Sequence, residues 1–168
     1  MNDEEAFGEP VTCGHCGERI ASDSEACPAC GDLREARQCS NHAERAAKGV
    51  CVVCGSAVCE GCNHGGDTHY LCDTHRAIPV VEGWAQIYTT SDDIEAQLIR
   101  ENLEAEGVDA RVLSQKDHFS LPVDVGDLSP VRVLVPAYAY DEAQRLLAEH
   151  RDASGDVAFG DGEEPVEA

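Results

Sequence analysis

Ten of the 168 residues are cysteines, and all ten lie between Cys13 and Cys72. Eight of them form four Cys-x-x-Cys pairs: Cys13 with Cys16, Cys27 with Cys30, Cys51 with Cys54, and Cys59 with Cys62. The other two, Cys39 and Cys72, are each followed three residues later by a histidine, His42 and His75. Two soft ligands at this spacing point at one centre, as a tetrahedral metal site requires. The competing chemistry is a disulfide framework, which belongs with a secretory leader. The N-terminal residues MNDEEAFGEP are acidic and show no apolar h-region. Metal is therefore expected. Ten cysteines and two histidines supply twelve ligands, enough for three four-coordinate sites and three zinc ions. Zinc thiolates survive in a reducing compartment, so reduced cysteines and a cytoplasmic location are expected.

In the first cluster, Cys13-Gly-His-Cys16 and Cys27-Pro-Ala-Cys30 stand ten residues apart, so one site is expected from Cys13, Cys16, Cys27 and Cys30. Gly17 and Gly31 follow the second cysteine of each pair, where a positive φ turns backbone N–H groups toward the sulfurs. Ile20 is the expected apolar contact between the two pairs, and His15 is expected to be an exposed bystander. Residues 13–31 resemble the short zinc-ribbon family, whose members serve nucleic-acid, protein and purely structural roles.

The second cluster reads Cys39-x2-His42-x8-Cys51-x2-Cys54-x4-Cys59-x2-Cys62-x9-Cys72-x2-His75. Four residues between the second and third pairs are too few for a simple ribbon. They suit an interleaved arrangement, with Cys39, His42, Cys59 and Cys62 on one metal and Cys51, Cys54, Cys72 and His75 on another. His69, three residues before Cys72, is an alternative to His75. Asn63, like Gly55, follows a pair, at a position where a left-handed conformation is tolerated. The pattern over residues 39–75 resembles the compact B-box-type zinc finger, departing from it in the long spacing before the last pair. In animals B-boxes accompany RING domains in ubiquitin ligases. No RING spacing precedes this one, and that activity is not carried over. Each site fills four positions with protein ligands, which is the pattern of structural rather than catalytic zinc.

The remaining chain must position these clusters. Residues 1–12 read as a disordered acidic lead, 32–38 as a helical turn or linker, 76–84 as a linker around Pro79 and Gly83, and 151–168 as a disordered acidic tail. Residues 85–150 lack cysteine and show ordinary patterning. AQIYTT (85–90) alternates as a strand. Ser91 or Asp92 can cap a helix in which Ile94, Leu98, Ile99 and Leu103 form a broad apolar face, stopped at Gly107. ARVLS (110–114) and VRVLVP (131–136) read as strands, and a second helix from about Tyr140 to His150 faces inward with Ala143, Leu146 and Leu147. The order β-α-β-β-α predicts a small sheet with both helices on one face. The fourth strand of a full ferredoxin-like plait is not evident; FSLPVDV (119–125) is either an extra strand or part of a loop. That loop, residues 115–130 with Lys116, Asp117, His118 and Phe119, is the one candidate ligand-carrying loop of the domain. The strand IYTT, the helix EAQLIRENLEAEG, ARVLS, VRVLVP and EAQRLL together resemble the prokaryotic signal-transducing domain family. This resemblance implies a ferredoxin-like α+β fold and a signalling role without fixing a ligand. The fold class is thus small zinc-stabilised modules followed by an α+β ferredoxin-like domain.

Charge bears on partners. The chain carries 33 acidic and 12 basic residues, a formal charge of −21, and residues 1–80 hold 13 acidic against 6 basic side chains. Like charge repels nucleic-acid backbones and anionic membranes, and no apolar run approaches the ~18 residues of a membrane span. A protein–protein interaction adaptor is the leading expectation, with a protein partner, no nucleic acid, no membrane and a possible homodimer. Free strand edges at 131–136 or 110–114 offer main-chain pairing, and Trp84 is the candidate anchor where the two halves meet. The alternative is a nucleic-acid-binding zinc-ribbon protein. No nucleophile–base constellation or phosphate loop speaks for an enzyme.

Overall fold

The computed structural model describes residues 9–114 and 130–154. The cysteine-rich half contains two short hairpins. In the first, β1 (Val11–Thr12) pairs with β2 (Arg19–Ile20), Val11 opposite Ile20. In the second, β3 (Gly49–Val50) pairs with β4 (Ala57–Val58), Gly49 opposite Val58. Val11 and Thr12 fall inside the stretch expected as an acidic lead. They are held because Ile20, buried beneath them, needs a partner strand.

Hairpins this short are not stable alone. The first has almost no core beyond its own cysteines: Ile20 packs with Cys13, Cys27 and Cys30. Main-chain bonds join the two cysteine clusters. Val50 N–H donates to Gly31 O (2.8 Å) and Tyr70 N–H to Cys30 O (3.0 Å), while Val52 N–H donates to Tyr70 O (3.0 Å) within the second cluster. Residues 32–38 form no helical turn; isolated bridges from Asp32 to Gly49 and from Gln38 to Ala46 keep them extended.

The second half is a four-stranded antiparallel sheet in the order β5-β6-β8-β7. Its strands are β5 (Val80–Val81), β6 (Trp84–Thr90), β7 (Arg111–Leu113) and β8 (Val131–Pro136). Helices α1 (Asp93–Ala105) and α2 (Tyr140–Ser154) lie on one face. Alternation on β8 sends Val131, Val133 and Val135 to that face, where all three are fully buried against Leu103, Ala143 and Leu146. This is a ferredoxin-like α+β domain. Its fourth strand is β5, contributed by the segment read as a linker, because Glu82 and Gly83, both at positive φ (49° and 79°), turn the chain tightly into β6.

Two sequence expectations fail here. The 131–136 strand is no edge: β8 lies between β6 and β7, and the outer strands are β5 and β7. On α1 the buried positions are Ala96 and Leu103, while Ile94 and Leu98 are 72% and 54% exposed. The helix sits close enough to the sheet that the small Ala96 takes the contact. Asp92 is the cap, accepting from the N–H groups of Ile94 and Glu95 (2.8 and 3.4 Å). Gly107 at φ 85° ends the helix, as expected. The loop residues Lys116, Asp117, His118 and Phe119 and the segment 119–125 lie outside the described residues.

Candidate metal centres

Two kinds of backbone turn present the cysteines. In the first, the carbonyl of the leading cysteine accepts from the N–H of a glycine four residues on: Cys13 from Gly17 (3.0 Å), Cys27 from Gly31 (2.7 Å) and Cys51 from Gly55 (2.8 Å). All three glycines have φ between 72° and 80°. In the second, the turn closes over three residues: His42 N–H to Cys39 O (3.2 Å), Cys62 N–H to Cys59 O (2.9 Å) and His75 N–H to Cys72 O (3.2 Å). Asn63 does not take the left-handed conformation; its φ is −83°. Its side chain instead organises the long loop before Cys72. Oδ1 accepts from Gly65 and Leu71 N–H (3.0 and 3.2 Å), and Nδ2 donates to Gly66 O (2.9 Å).

These turns bring twelve residues into three groups: Cys13, Cys16, Cys27 and Cys30; Cys39, His42, Cys59 and Cys62; and Cys51, Cys54, Cys72 and His75. Within each group the ligand atoms all lie within 4.8 Å of one another. The sequence names the same three sets, including the interleaving of the second cluster. His75, not His69, joins the third group; His69 Nδ1 pairs with Thr68 Oγ1 at 2.9 Å. His15 stands apart, its ring 6.3 Å from that of Tyr70.

The spacing of the donor atoms tests whether a metal fits. Sulfur at about 2.3 Å and nitrogen at about 2.0–2.1 Å from a tetrahedral centre give donor–donor edges of about 3.5–3.8 Å. The observed separations include 3.7 Å for Cys13 to Cys30 and 3.6 Å for Cys16 to Cys27 in the first group. In the second, His42 Nδ1 lies 3.8, 3.7 and 3.3 Å from Cys39, Cys59 and Cys62. In the third, Cys54 to Cys72 is 3.8 Å, and His75 Nδ1 lies 3.6 and 3.3 Å from Cys51 and Cys72. A disulfide would bring sulfurs to about 2.05 Å, and the described cysteines are all free thiols. Each group could hold a metal ion, and the thiolate and imidazole donors are consistent with zinc.

The electrostatics point the same way. Burial pushes Cys51 up to about 11, with the charge of Cys54 adding to it. Burial likewise raises Cys27 and Cys30. Against burial's upward push, the Ser56 hydroxyl and N–H bring Cys54 down to about 7. The Asn41 N–H and His42 similarly bring Cys39 down to about 6. Each group thus holds a lowered thiol beside a raised one: Cys13 beside Cys27 and Cys30, Cys39 beside Cys62, and Cys54 beside Cys51. A divalent cation removes that conflict.

Sequence reasoning missed the partners outside the ligand sets. Cys54 Sγ lies 3.1 Å from Ser56 Oγ. His75, with Nδ1 turned to the sulfurs, presents Nε2 to Asp141 Oδ1 on α2, at 3.5 Å. Ser56 lies two residues from its cysteine and was legible in principle; Asp141 is 66 residues from His75 and carried no local signal.

The open face of the sheet, opposite the helices, carries Trp84, Arg111, Leu113 and Arg132. Between this face and the first metal group runs a cleft of about 1080 Å³, walled by Arg19, Ala29, Val81, Trp84, Arg111 and Tyr138 among others. No described helix is long and apolar enough to cross a membrane.

Residues 84–151 match the family model described as "Putative prokaryotic signal transducing protein". The match begins at the first residue of β6 and takes in α1 and most of α2, and the cysteine-rich half lies outside it. No curated protein and no solved structure matches the chain significantly.

Proposed function

We propose that this chain is a zinc-stabilised protein–protein interaction adaptor in prokaryotic signalling or regulation, and not an enzyme. The carrying observation is the set of three groups of four donors at tetrahedral spacing. On this reading Cys13, Cys16, Cys27 and Cys30 hold one zinc in a ribbon-like module. Cys39, His42, Cys59 and Cys62 hold a second, and Cys51, Cys54, Cys72 and His75 a third, in an interleaved B-box-like module. Zinc supplies the folding energy that the short hairpins cannot, on the order of 10 kcal/mol per site. Four protein donors leave the metal no open position for a substrate, so its role is architectural.

The surface available to a partner is the open sheet face. Val81 and Tyr138 beside it are 67% and 64% exposed, and Leu113 on it is 54% exposed. A protein partner fits this mixture of aromatic, aliphatic and guanidinium groups, and a second copy of the chain is one version of it. The reducing environment that thiolate sites need makes the cytoplasm the proposed location.

One observation favours the alternative, a nucleic-acid-binding protein. Trp84, Arg111 and Arg132 share a face, and such residues stack bases and pair phosphates. The net charge of −21 opposes it. The deciding experiment loads the purified protein with zinc, counts the metal, and titrates labelled duplex and single strands at physiological salt. Three zinc ions and no saturable binding are expected, together with a partner from the native cells whose capture is lost in Trp84→Ala and Arg111→Glu. Micromolar, steeply salt-sensitive binding of the strands would replace the adaptor with the nucleic-acid reading.

A further inference from the structure

The structure assigns Asp141 as the outer-shell partner of the third metal site, making that site the joint between the cysteine-rich half and the C-terminal domain. This inference rests on the zinc reading of Cys51, Cys54, Cys72 and His75, and extends it to a residue that belongs to no metal motif.

His75 has one ring nitrogen for the metal and one to spare. Nδ1 faces Cys51 and Cys72 at 3.6 and 3.3 Å, so the Nε2 side carries the N–H. Asp141 Oδ1 stands 3.5 Å from it, within ion-pair reach and a few tenths of an ångström beyond a formed N–H···O bond; the His75 side chain is 12% exposed and that of Asp141 60%. A metal on Nδ1 withdraws electrons from the ring and strengthens Nε2–H as a donor, and the carboxylate in return makes the imidazole a better ligand. Asp141 lies in the first turn of α2, where a negative side chain is also favoured by the helix N-terminus. Both interactions favour a carboxylate at this position.

A second, independent contact runs through apolar packing. Val52, Val53 and Leu71 form one buried cluster with Cys51, and that cluster continues into the C-terminal domain through Val80, Ala85 and Ala137. Tyr140, the first residue of α2, packs on its edge. Four residues separate His75 from β5, and Ile78 N–H donates back to His75 O (3.0 Å). Neither of the other two groups contributes a ligand to that cluster; the first approaches the C-terminal domain at the β5–β6 turn, where Ala29 lies against Gly83. Loss of metal from the third site therefore loosens the start of α2, whereas loss from the second does not.

The test uses the full chain. Zinc per chain is first counted in the unsubstituted protein. Two or fewer ions on folded protein would sink the zinc reading itself, and this proposal with it. With three ions present, zinc transfer to a chelating dye is followed in Asp141→Asn, Asp141→Glu and Glu142→Gln. Asp141→Asn should weaken one of the three sites about tenfold and shift the ¹⁵N resonance of His75 Nε2. Asp141→Glu should restore most of the affinity. Glu142, whose nearest charged partner is Arg145 at 3.7 Å, lies in the same helical turn; removing its charge should leave all three sites unchanged. Equal zinc affinity in Asp141→Asn and the unsubstituted protein, or equal weakening by Glu142→Gln, would overturn the assignment. Hydrogen exchange gives the second arm. Cys51→Ser should speed exchange of the amides around residues 137–143, and Cys39→Ser should not; identical behaviour of the two would refute the joint.

Discussion

Arg111 on β7 lies over the indole of Trp84 on β6, its guanidinium carbon 3.8 Å from the ring centroid. The pair reaches across β8, which lies between the two strands, and covers the open face where Trp84 is opposite Pro136. Such a contact is worth about 0.5–1 kcal/mol at an exposed site. Arg111→Ala should lower the unfolding free energy of the C-terminal domain by about that much. Because Trp84 is the only tryptophan, its emission reports the change directly. Unaltered emission in Arg111→Ala would show that the stacking does not persist in solution.

Metal removal should separate the two halves by their cores. The first hairpin is packed largely by its own cysteines, whereas Val131, Val133 and Val135 sit in an apolar cluster of their own. Strong chelation should therefore abolish slow amide exchange over residues 11–58 while leaving it in the middle of β8. Acid should act similarly, because protons compete with metal for thiolate and imidazole: zinc is retained at neutral pH and lost as pH falls. Persistent protection of β1 to β4 without metal would count against metal-dependent folding of the cysteine-rich half.

Gly17 and Gly31 occupy equivalent turns but different surroundings. A Cβ on Gly17 would meet nothing within 4 Å, whereas one on Gly31 would lie 2.0 Å from the Val50 carbonyl oxygen. Both have φ near 80°, so alanine at either costs about 1–2 kcal/mol in backbone strain. Gly31→Ala must also displace β3 and break the Val50–Gly31 hydrogen bond. Denaturant titration of the zinc-loaded variants should show Gly31→Ala clearly less stable than Gly17→Ala; equal midpoints would contradict the close approach.

The cap of α1 offers a cleaner measurement. Asp92 accepts two backbone N–H groups, and alanine there should cost about 1 kcal/mol. Asp92→Asn should recover most of it, since an amide oxygen caps nearly as well. A neutral Asp92→Ala, read from urea unfolding, would mean that the Glu95 contacts with Tyr88 and Thr90 suffice to start the helix.

Ligand identity was legible in the sequence because metal geometry is local: a two-residue gap sets the reach of a ligand pair, and four residues between pairs forbid simple sequential sites. The strands and helices of the C-terminal domain were legible from periodicity, and Asp92 and Gly107 from capping chemistry. Other features depend on distant partners. Periodicity gave α1 a wide apolar arc but could not say which part meets the sheet, so Ile94 and Leu98 appeared buried and Ala96 went unnoticed. Asn63 was read by position, whereas its role follows from the amide groups that the loop brings to it. The pairing of β5 with β6 was hidden because two valines after Pro79, though good strand formers, are too short a run to show alternation.

That pairing has a practical consequence. Similarity to the signal-transducing family starts at Trp84, and a gene fragment cut there would look complete by homology. It would lack the strand that closes one side of the sheet, leaving the main-chain groups of Trp84 and Ala85 without Val81 and Val80. Bare edges recruit other chains. A recombinant piece beginning at Trp84 would therefore self-associate as an artefact of where it was trimmed, and one beginning a few residues upstream of Pro79 would not.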